Sequence, residues 1–149
     1  MEIAVAHHFG VRANLIVPNI SWGMFNHECD LFVLTGAGYG YEVEIKVSKH
    51  DLIKDEEKPH GHYSPKIKYL FFAVPDYLEK HIEHIPERAG IIIVTKRDDG
   101  HIYCERIRKP KKNYNYSFDI SERYQIARLG AMRIFGLKQK IVKLKKVKR

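Results

Sequence analysis

Cysteine is scarce in this chain: its 149 residues include only Cys29 and Cys104. Two cysteines cannot build the disulfide framework of a small secreted domain, and without a CxxC pair they give no sign of a structural zinc site. Long apolar runs are missing as well. No stretch approaches the roughly 20 residues that span a bilayer, so no membrane segment is expected. The start, Met1 to Gly10, has no charged segment leading into an apolar run of signal-peptide length, and the expected location is the cytoplasm. There is no G-x-S-x-G elbow for Ser/His/Asp hydrolysis and no Gly-rich phosphate loop of the P-loop type. Negative charge is the minority sign: Asp and Glu total 18 against 26 Lys and Arg, a formal net charge of +8. A field of that sign concentrates polyanions, which makes nucleic acid the default partner, although a generic basic surface has the same composition.

What is present fits one α/β domain without internal repeats. Glu2 to Phe9 reads as a short helix ended by Gly10. Ala13 to Val17 is a strand-like run closed by Pro18, and Asp30 to Thr35 reads as a second strand. Gly36-Ala37-Gly38 turns the chain into a third strand, Tyr39 to Val47, so the two pair as a hairpin. Ser48 caps a short helix through Asp51, Leu52 and Ile53. Lys54 to Pro65, broken by Pro59, Gly61 and Pro65, reads as a loop. Lys68 to Val74 and Gly90 to Thr95 are continuous apolar runs typical of buried strands. Between them Asp76 to Ile85 carries Leu78, Ile82 and Ile85 at helical spacing. The Asp98-Asp99-Gly100 turn leads to a strand through Ile102 and Cys104, and Ser121 starts a helix to about Gly136.

The chemistry centres on Glu42-Val43-Glu44-Ile45-Lys46. Strand side chains alternate, so Glu42, Glu44 and Lys46 share one face while Val43, Ile45 and Val47 supply core on the other. Charges on a central strand cost free energy unless they are paired or bind a metal. The E-x-K spacing alone is weak: with 11 Glu and 17 Lys, chance supplies about one match. A second copy, Glu56-Glu57-Lys58, falls in a polar stretch with no strand to orient it. Context favours the first copy. The hairpin brings Asp30, at the start of the preceding strand, beside Glu44 and Lys46. Two carboxylates at one point suit a hard divalent cation, and a lysine beside them can orient a water or offset charge on a phosphate. A surface hairpin with a cross-strand Lys46–Asp30 ion pair is the plain alternative.

Asp30, a short hairpin and then Glu44-Ile45-Lys46 resembles the signature of the PD-(D/E)xK, or restriction-endonuclease-like, nuclease superfamily. The order of helix, three strands, helix and strand is similar to its αβββαβ core, and the Ser48-to-Asp51 and Lys66-to-Pro75 segments resemble small DNA-repair-type members. The resemblance covers about residues 1–95. It implies an α/β fold with a mixed central sheet flanked by helices. It also implies a Mg²⁺- or Mn²⁺-dependent deoxyribonuclease in which Asp30 and Glu44 hold the metal, the Ile45 carbonyl adds a ligand and Lys46 assists catalysis. Cys29 stands where the family often has proline. Of the acids that the family sometimes adds from its first helix, only Glu2 is present, and Glu28 is the reserve ligand by parity with Asp30.

Basic residues outside the motif extend the expected DNA contact. Lys66 and Lys68 precede an apolar strand and are read as flanking the site. Beyond a domain of residues 1–137, a tail of residues 138–149 interleaves Lys138, Lys140, Lys143, Lys145, Lys146, Lys148 and Arg149 with Ile141, Leu144 and Val147. A helix would gather those apolar residues on one face. Such a segment grips phosphates, lies on an anionic surface or is a solvated end. Arg106, Arg108, Lys109, Lys111 and Lys112 with Tyr114 and Tyr116 form either a single-strand-binding surface or a solvated basic loop. His60 and His62 are expected as solvated loop residues, and four convergent zinc ligands at recognised spacings are not visible. A non-cleaving nucleic-acid-binding module of the same fold is the alternative function, and an RNA-binding accessory protein is a third. The resemblance leaves a homodimer open, and no membrane partner is expected.

Overall fold

The computed structural model describes residues 1–20 and 27–147, with side chains as far as Lys145. Helix α1 (Glu2–His8) is followed by strands β1 (Leu15–Ile20), β2 (Cys29–Leu34) and β3 (Gly40–Ile45). Helix α2 (Lys49–Glu56), strand β4 (Ile67–Pro75) and a 3₁₀ segment (Asp76–His84) come next. Strands β5 (Gly90–Lys96) and β6 (Ile102–Arg108) and helix α3 (Ile120–Val147) complete the chain. The six strands form one sheet in sequence order. β1, β2 and β3 make an antiparallel meander, β3 to β5 run parallel, and β6 returns antiparallel along β5. The parallel strands are covered on both faces, which is why β4 and β5 are continuously apolar rather than alternating.

On one face Val5 of α1 packs on Leu31, Val33, Val43, Phe71, Ala73, Ile92 and Val94. The other face carries two apolar clusters. Leu52 of α2 and Leu78, Ile82 and Ile85 of the 3₁₀ region cover Leu70, Phe72, Val74, Ile91 and Ile93. Phe118 and Ile126, from the start of α3 and the segment before it, cover Val17, Ile20, Phe32, Leu34 and Ile67. Glu42 pairs with Phe32 on one side and Leu70 on the other, so β3's polar residues run between the two clusters. The β2–β3 turn is closed by the Thr35 N–H on the Tyr39 carbonyl at 2.9 Å and the Gly38 N–H on the Thr35 carbonyl at 2.8 Å. Gly38 takes φ +87, and a Cβ there would lie 2.0 Å from the Arg123 side chain.

Several boundaries differ from the sequence expectation. β1 continues through Pro18, paired with Leu31, as far as Ile20. It is an edge strand, where a missing N–H costs no ladder bond. α2 runs on to Glu56, into the expected loop, because Leu52 and Asp55 turn the same face to the sheet and are both buried. The expected helix after β4 is a 3₁₀ segment broken at His81 (φ −123, ψ 19), although its apolar spacing still packs Leu78 and Ile82. α3 does not stop near Gly136 but runs on to Val147, 28 residues in all. Its first half is anchored by Ile126 and Leu129, while Ile141 and Leu144 beyond them are exposed.

Candidate active site

Alternation along β3 places Val43 in the α1 core and buries Glu42, Glu44 and Lys46 on the opposite face, at 1, 2 and 8% exposure. The β2–β3 ladder pairs Leu34 with Gly40 through to Leu31 with Val43. Just beyond it the Asp30 carboxylate accepts the Ile45 N–H at 2.7 Å, in place of a main-chain carbonyl. Asp30, Glu44 and Lys46 therefore meet at the end of the paired region. Lys46 Nζ lies 2.6 Å from Glu44 Oε2 and 4.0 Å from Asp30 Oδ2. Asp30 is the open side of the group, its side chain 40% exposed. Glu44 Oε1 is buried without a hydrogen-bond partner among the described residues.

Further charge comes from α2 and the segment after it. Ser48 caps α2 by accepting the Asp51 N–H at 3.1 Å. Two turns on, Asp55 Oδ1 is 2.8 Å from Lys46 Nζ and 2.6 Å from Lys58 Nζ. Asp55 Oδ2 is 2.5 Å from His62 Nε2, and His62 Nδ1 is 2.7 Å from Glu42 Oε1. His27 Nε2 contacts both oxygens of Glu42, at 2.8 and 3.0 Å. His60 stacks on His27 with centroids 4.3 Å apart, and its Nδ1 accepts the His62 N–H at 3.0 Å. Gly61 and His62 both adopt positive φ, +50 and +57, which folds this histidine turn inward.

Burial and pairing oppose each other throughout the network. Burial alone would lower the Lys46 pKa, but Glu44 and Asp55 overcome it and hold the amine as an ammonium well above the usual lysine range. Burial also works against charged His62, yet its bonds to Asp55 and Glu42 raise its pKa to about 9. Glu42 ends below the ordinary carboxylate range: desolvation pushes it up, but the hydrogen bonds from His27 and His62 prevail. Asp55 is likewise lowered, since bonds from His62, Lys46 and Lys58 outweigh burial. Glu44 is raised, first by desolvation and further by the negative charge of Asp30, against the pull of Lys46. His60 is lowered by burial and by the neighbouring His27 and His62.

Other sequence-predicted residues fall elsewhere. Glu28 is exposed. Glu2 is exposed at the start of α1 and lines a cleft with Pro18, Asn19 and Arg133, away from β3. Ile45 meets Asp30 through its N–H. Lys66 and Lys68 do not flank Glu44. The register sets Ile67 beside Gly40 and Phe72 beside Glu44, so these lysines sit at the other end of β4, about 13 Å or more along the strand. Lys66 is paired with Glu122 at 2.6 Å, and Lys68 lies over the Tyr39 ring at 3.2 Å. Arg108 donates to the Ala89 and Pro86 carbonyls and Tyr116 to Glu122, so both are structural rather than parts of a free basic loop. Lys138, Lys140, Lys143 and Lys145 are exposed on α3, while the Lys146 side chain lies outside the described residues, as do Lys148 and Arg149. His62, expected in solvent, is 1% exposed. Asp55, His27 and His62 were missed as site residues. The available signal was Asp55 at i+3 from Leu52, an acid on an apolar helical face.

No family model matches the chain, and no curated protein sequence matches it significantly. Among solved structures, a protein of unknown function from Silicibacter pomeroyi is similar, with a TM-score of 0.63 and 18% identity over 95% of this chain and 88% of that one. The likeness is one of fold: a mixed α/β architecture with a six-stranded mixed sheet flanked by helices. No helix among the described residues is long and apolar enough to cross a membrane.

Proposed function

We propose that the protein is a metal-dependent DNA nuclease with a restriction-endonuclease-like core, hydrolysing phosphodiester bonds with Asp30, Glu44 and Lys46. One observation carries this reading: Asp30, Glu44 and Lys46 converge where β2 and β3 part, with Lys46 Nζ near both carboxylates, while the second Glu44 oxygen, Oε1, is buried 3.8 Å from His62 Nδ1 with no hydrogen-bond partner among the described residues. A buried carboxylate oxygen left without a donor costs free energy that a bound cation removes. The donor set fits a hard divalent ion, Mg²⁺ or Mn²⁺, held by Asp30 and Glu44 with main-chain oxygen and water completing the shell. Such an ion, when bound, polarises the scissile phosphate and lowers the pKa of an attacking water.

The chain's own residues set the geometry. The Ile45 N–H fixes the Asp30 carboxylate against β3. Asp55 and Glu44 hold Lys46 as an ammonium, so it orients water and offsets developing phosphate charge instead of abstracting a proton. The net charge of +8 and the exposed lysines of α3 favour a polyanionic substrate gripped by its backbone.

The test incubates the protein with plasmid, single-stranded and branched DNA in Mg²⁺, Mn²⁺ or EDTA, alongside Glu44→Ala and Lys46→Ala. Metal-dependent cleavage lost in both variants is the expected result. Binding without cleavage under every condition would replace the nuclease with a non-cleaving module of the same fold, a reading favoured by how fully Lys46 is tied to Glu44 and Asp55.

A further inference from the structure

His27 and the distant His60-Gly61-His62 turn come together beside Glu42. His27, His60 and His62 each offer a ring nitrogen, and the three nitrogens lie within 4.8 Å of one another. His27 and His62 are buried, with side chains 5 and 1% exposed, whereas His60 is half-buried and leaves the cluster a way in from solvent. Glu42 Oε1 is 2.8 Å from His27 Nε2 and 2.7 Å from His62 Nδ1, so a carboxylate oxygen already sits among the imidazoles.

Two further observations point to a ligand. His27 Nδ1 is buried and has no hydrogen-bond partner among the described residues. An imidazole nitrogen in that position costs free energy unless something binds at the ring. His62, in turn, has Nε2 2.5 Å from Asp55 Oδ2 while Nδ1 faces Glu42. A carboxylate behind a histidine fixes its tautomer and aims the other nitrogen, as at metal centres, where the ligating imidazole gives its second N–H to a carboxylate.

We propose that His27, His60 and His62, with Glu42 as the fourth donor, form a binding site for a transition-metal ion, Zn²⁺ or a close relative, adjoining the Asp30–Glu44 pair, since Glu44 also has a carboxylate oxygen within 4.8 Å of the Glu42 and His62 donor atoms. Imidazole donors select zinc and its neighbours over Mg²⁺ and Ca²⁺, which prefer oxygen. Tetrahedral zinc with bonds of about 2.0–2.1 Å sets its ligand atoms about 3.3 Å apart, so donor atoms now within 4.8 Å of one another need to close by about 1.5 Å at most. Asp55 is its positioning residue. Because Asp55 also holds Lys46, an ion at the histidines would stiffen the base on which Lys46 rests.

The site is tested with Zn²⁺ alone on the full chain, stripped of metal by chelator and then passed through gel filtration. Elemental analysis gives the stoichiometry and competition with a chromophoric chelator gives the affinity, so neither readout needs DNA or nuclease activity. One zinc per chain is expected, retained in excess Mg²⁺ and raising the melting temperature. His27→Ala and His60→Gln should each weaken binding at least tenfold with unchanged circular dichroism, while Asp30→Asn should stay within twofold of the wild type. If His27→Ala fails to fold, the half-buried His60→Gln decides. Loss of zinc on gel filtration would overturn the site, as would equal retention by His60→Gln, which would assign the metal to the protein's other histidines.

Discussion

Replacing Lys46 by Met keeps most of the stem that packs beside β3 and removes only the charge. Glu44 would then lose its 2.6 Å partner, leaving His62 Nδ1 at 3.8 Å as its remaining cationic neighbour. Asp55 would be deprived of the ammonium at 2.8 Å but keep Lys58 at 2.6 Å and His62 at 2.5 Å. Most of the damage therefore falls on Glu44, whose side chain is 2% exposed. Removing one partner of a buried ion pair costs about 3–5 kcal/mol, and with Asp55 still paired the lower end, about 3 kcal/mol, is expected. With a urea dependence of about 2 kcal/mol per molar, the unfolding midpoint should fall by about 1.5 M at pH 7. Adding Glu44→Gln should recover part of the loss, since the stranded group is then uncharged, with a coupling of about 1–3 kcal/mol. The gap between wild type and variant should also narrow as pH falls toward 4. In the variant the unpaired carboxylates take up protons more readily. In the wild type the lowered pKa of Asp55 contributes stability that is fully present above its ordinary value of 3.8 and lost only below it, so it adds to the narrowing only at lower pH. A midpoint shift below about 0.5 M, or a gap indifferent to pH, would refute the buried-pair account.

Two further outcomes follow from the same geometry. His62, raised to about 9 from an ordinary 6.5, contributes stability that is fully present below pH 6.5 and lost as pH rises through 9. Metal-free protein should thus lose up to about 3 kcal/mol between those pH values, and His62→Gln should flatten the profile; parallel profiles would show that His62 is not charged in the folded state. Replacing Lys138, Lys140, Lys143 and Lys145 by Gln should weaken DNA binding and reduce the salt slope by up to about 0.9 for each phosphate no longer neutralised. An unchanged slope would remove the exposed half of α3 from the proposed DNA interface.

Local rules carried the sequence reading a long way. Period-two alternation put Glu42, Glu44 and Lys46 on one face of β3 because a strand leaves its side chains no other choice. The Gly36-Ala37-Gly38 turn fixed the hairpin that brings Asp30 to them, and Ser48 capped α2 as its side chain dictates. Where neighbours decide, sequence was silent. Pro18 looks like a strand end, and only the position of β1 at the sheet edge makes it harmless. Lys66 and Lys68 are near the motif along the chain but at the far end of β4, because parallel pairing sets the register. Asp55, His60 and His62 sit in a stretch, Lys54 to Pro65, whose composition reads as a loop, and no element signal places His27. Their charges become costly, and therefore informative, only when α2 and the turn after it fold over the polar side of β3. The chain's own pattern determined the strand that carries the acids and the lysine; the closing of distant segments over that strand decided which partners those charges have, since burial and pairing of charge depend on the whole fold.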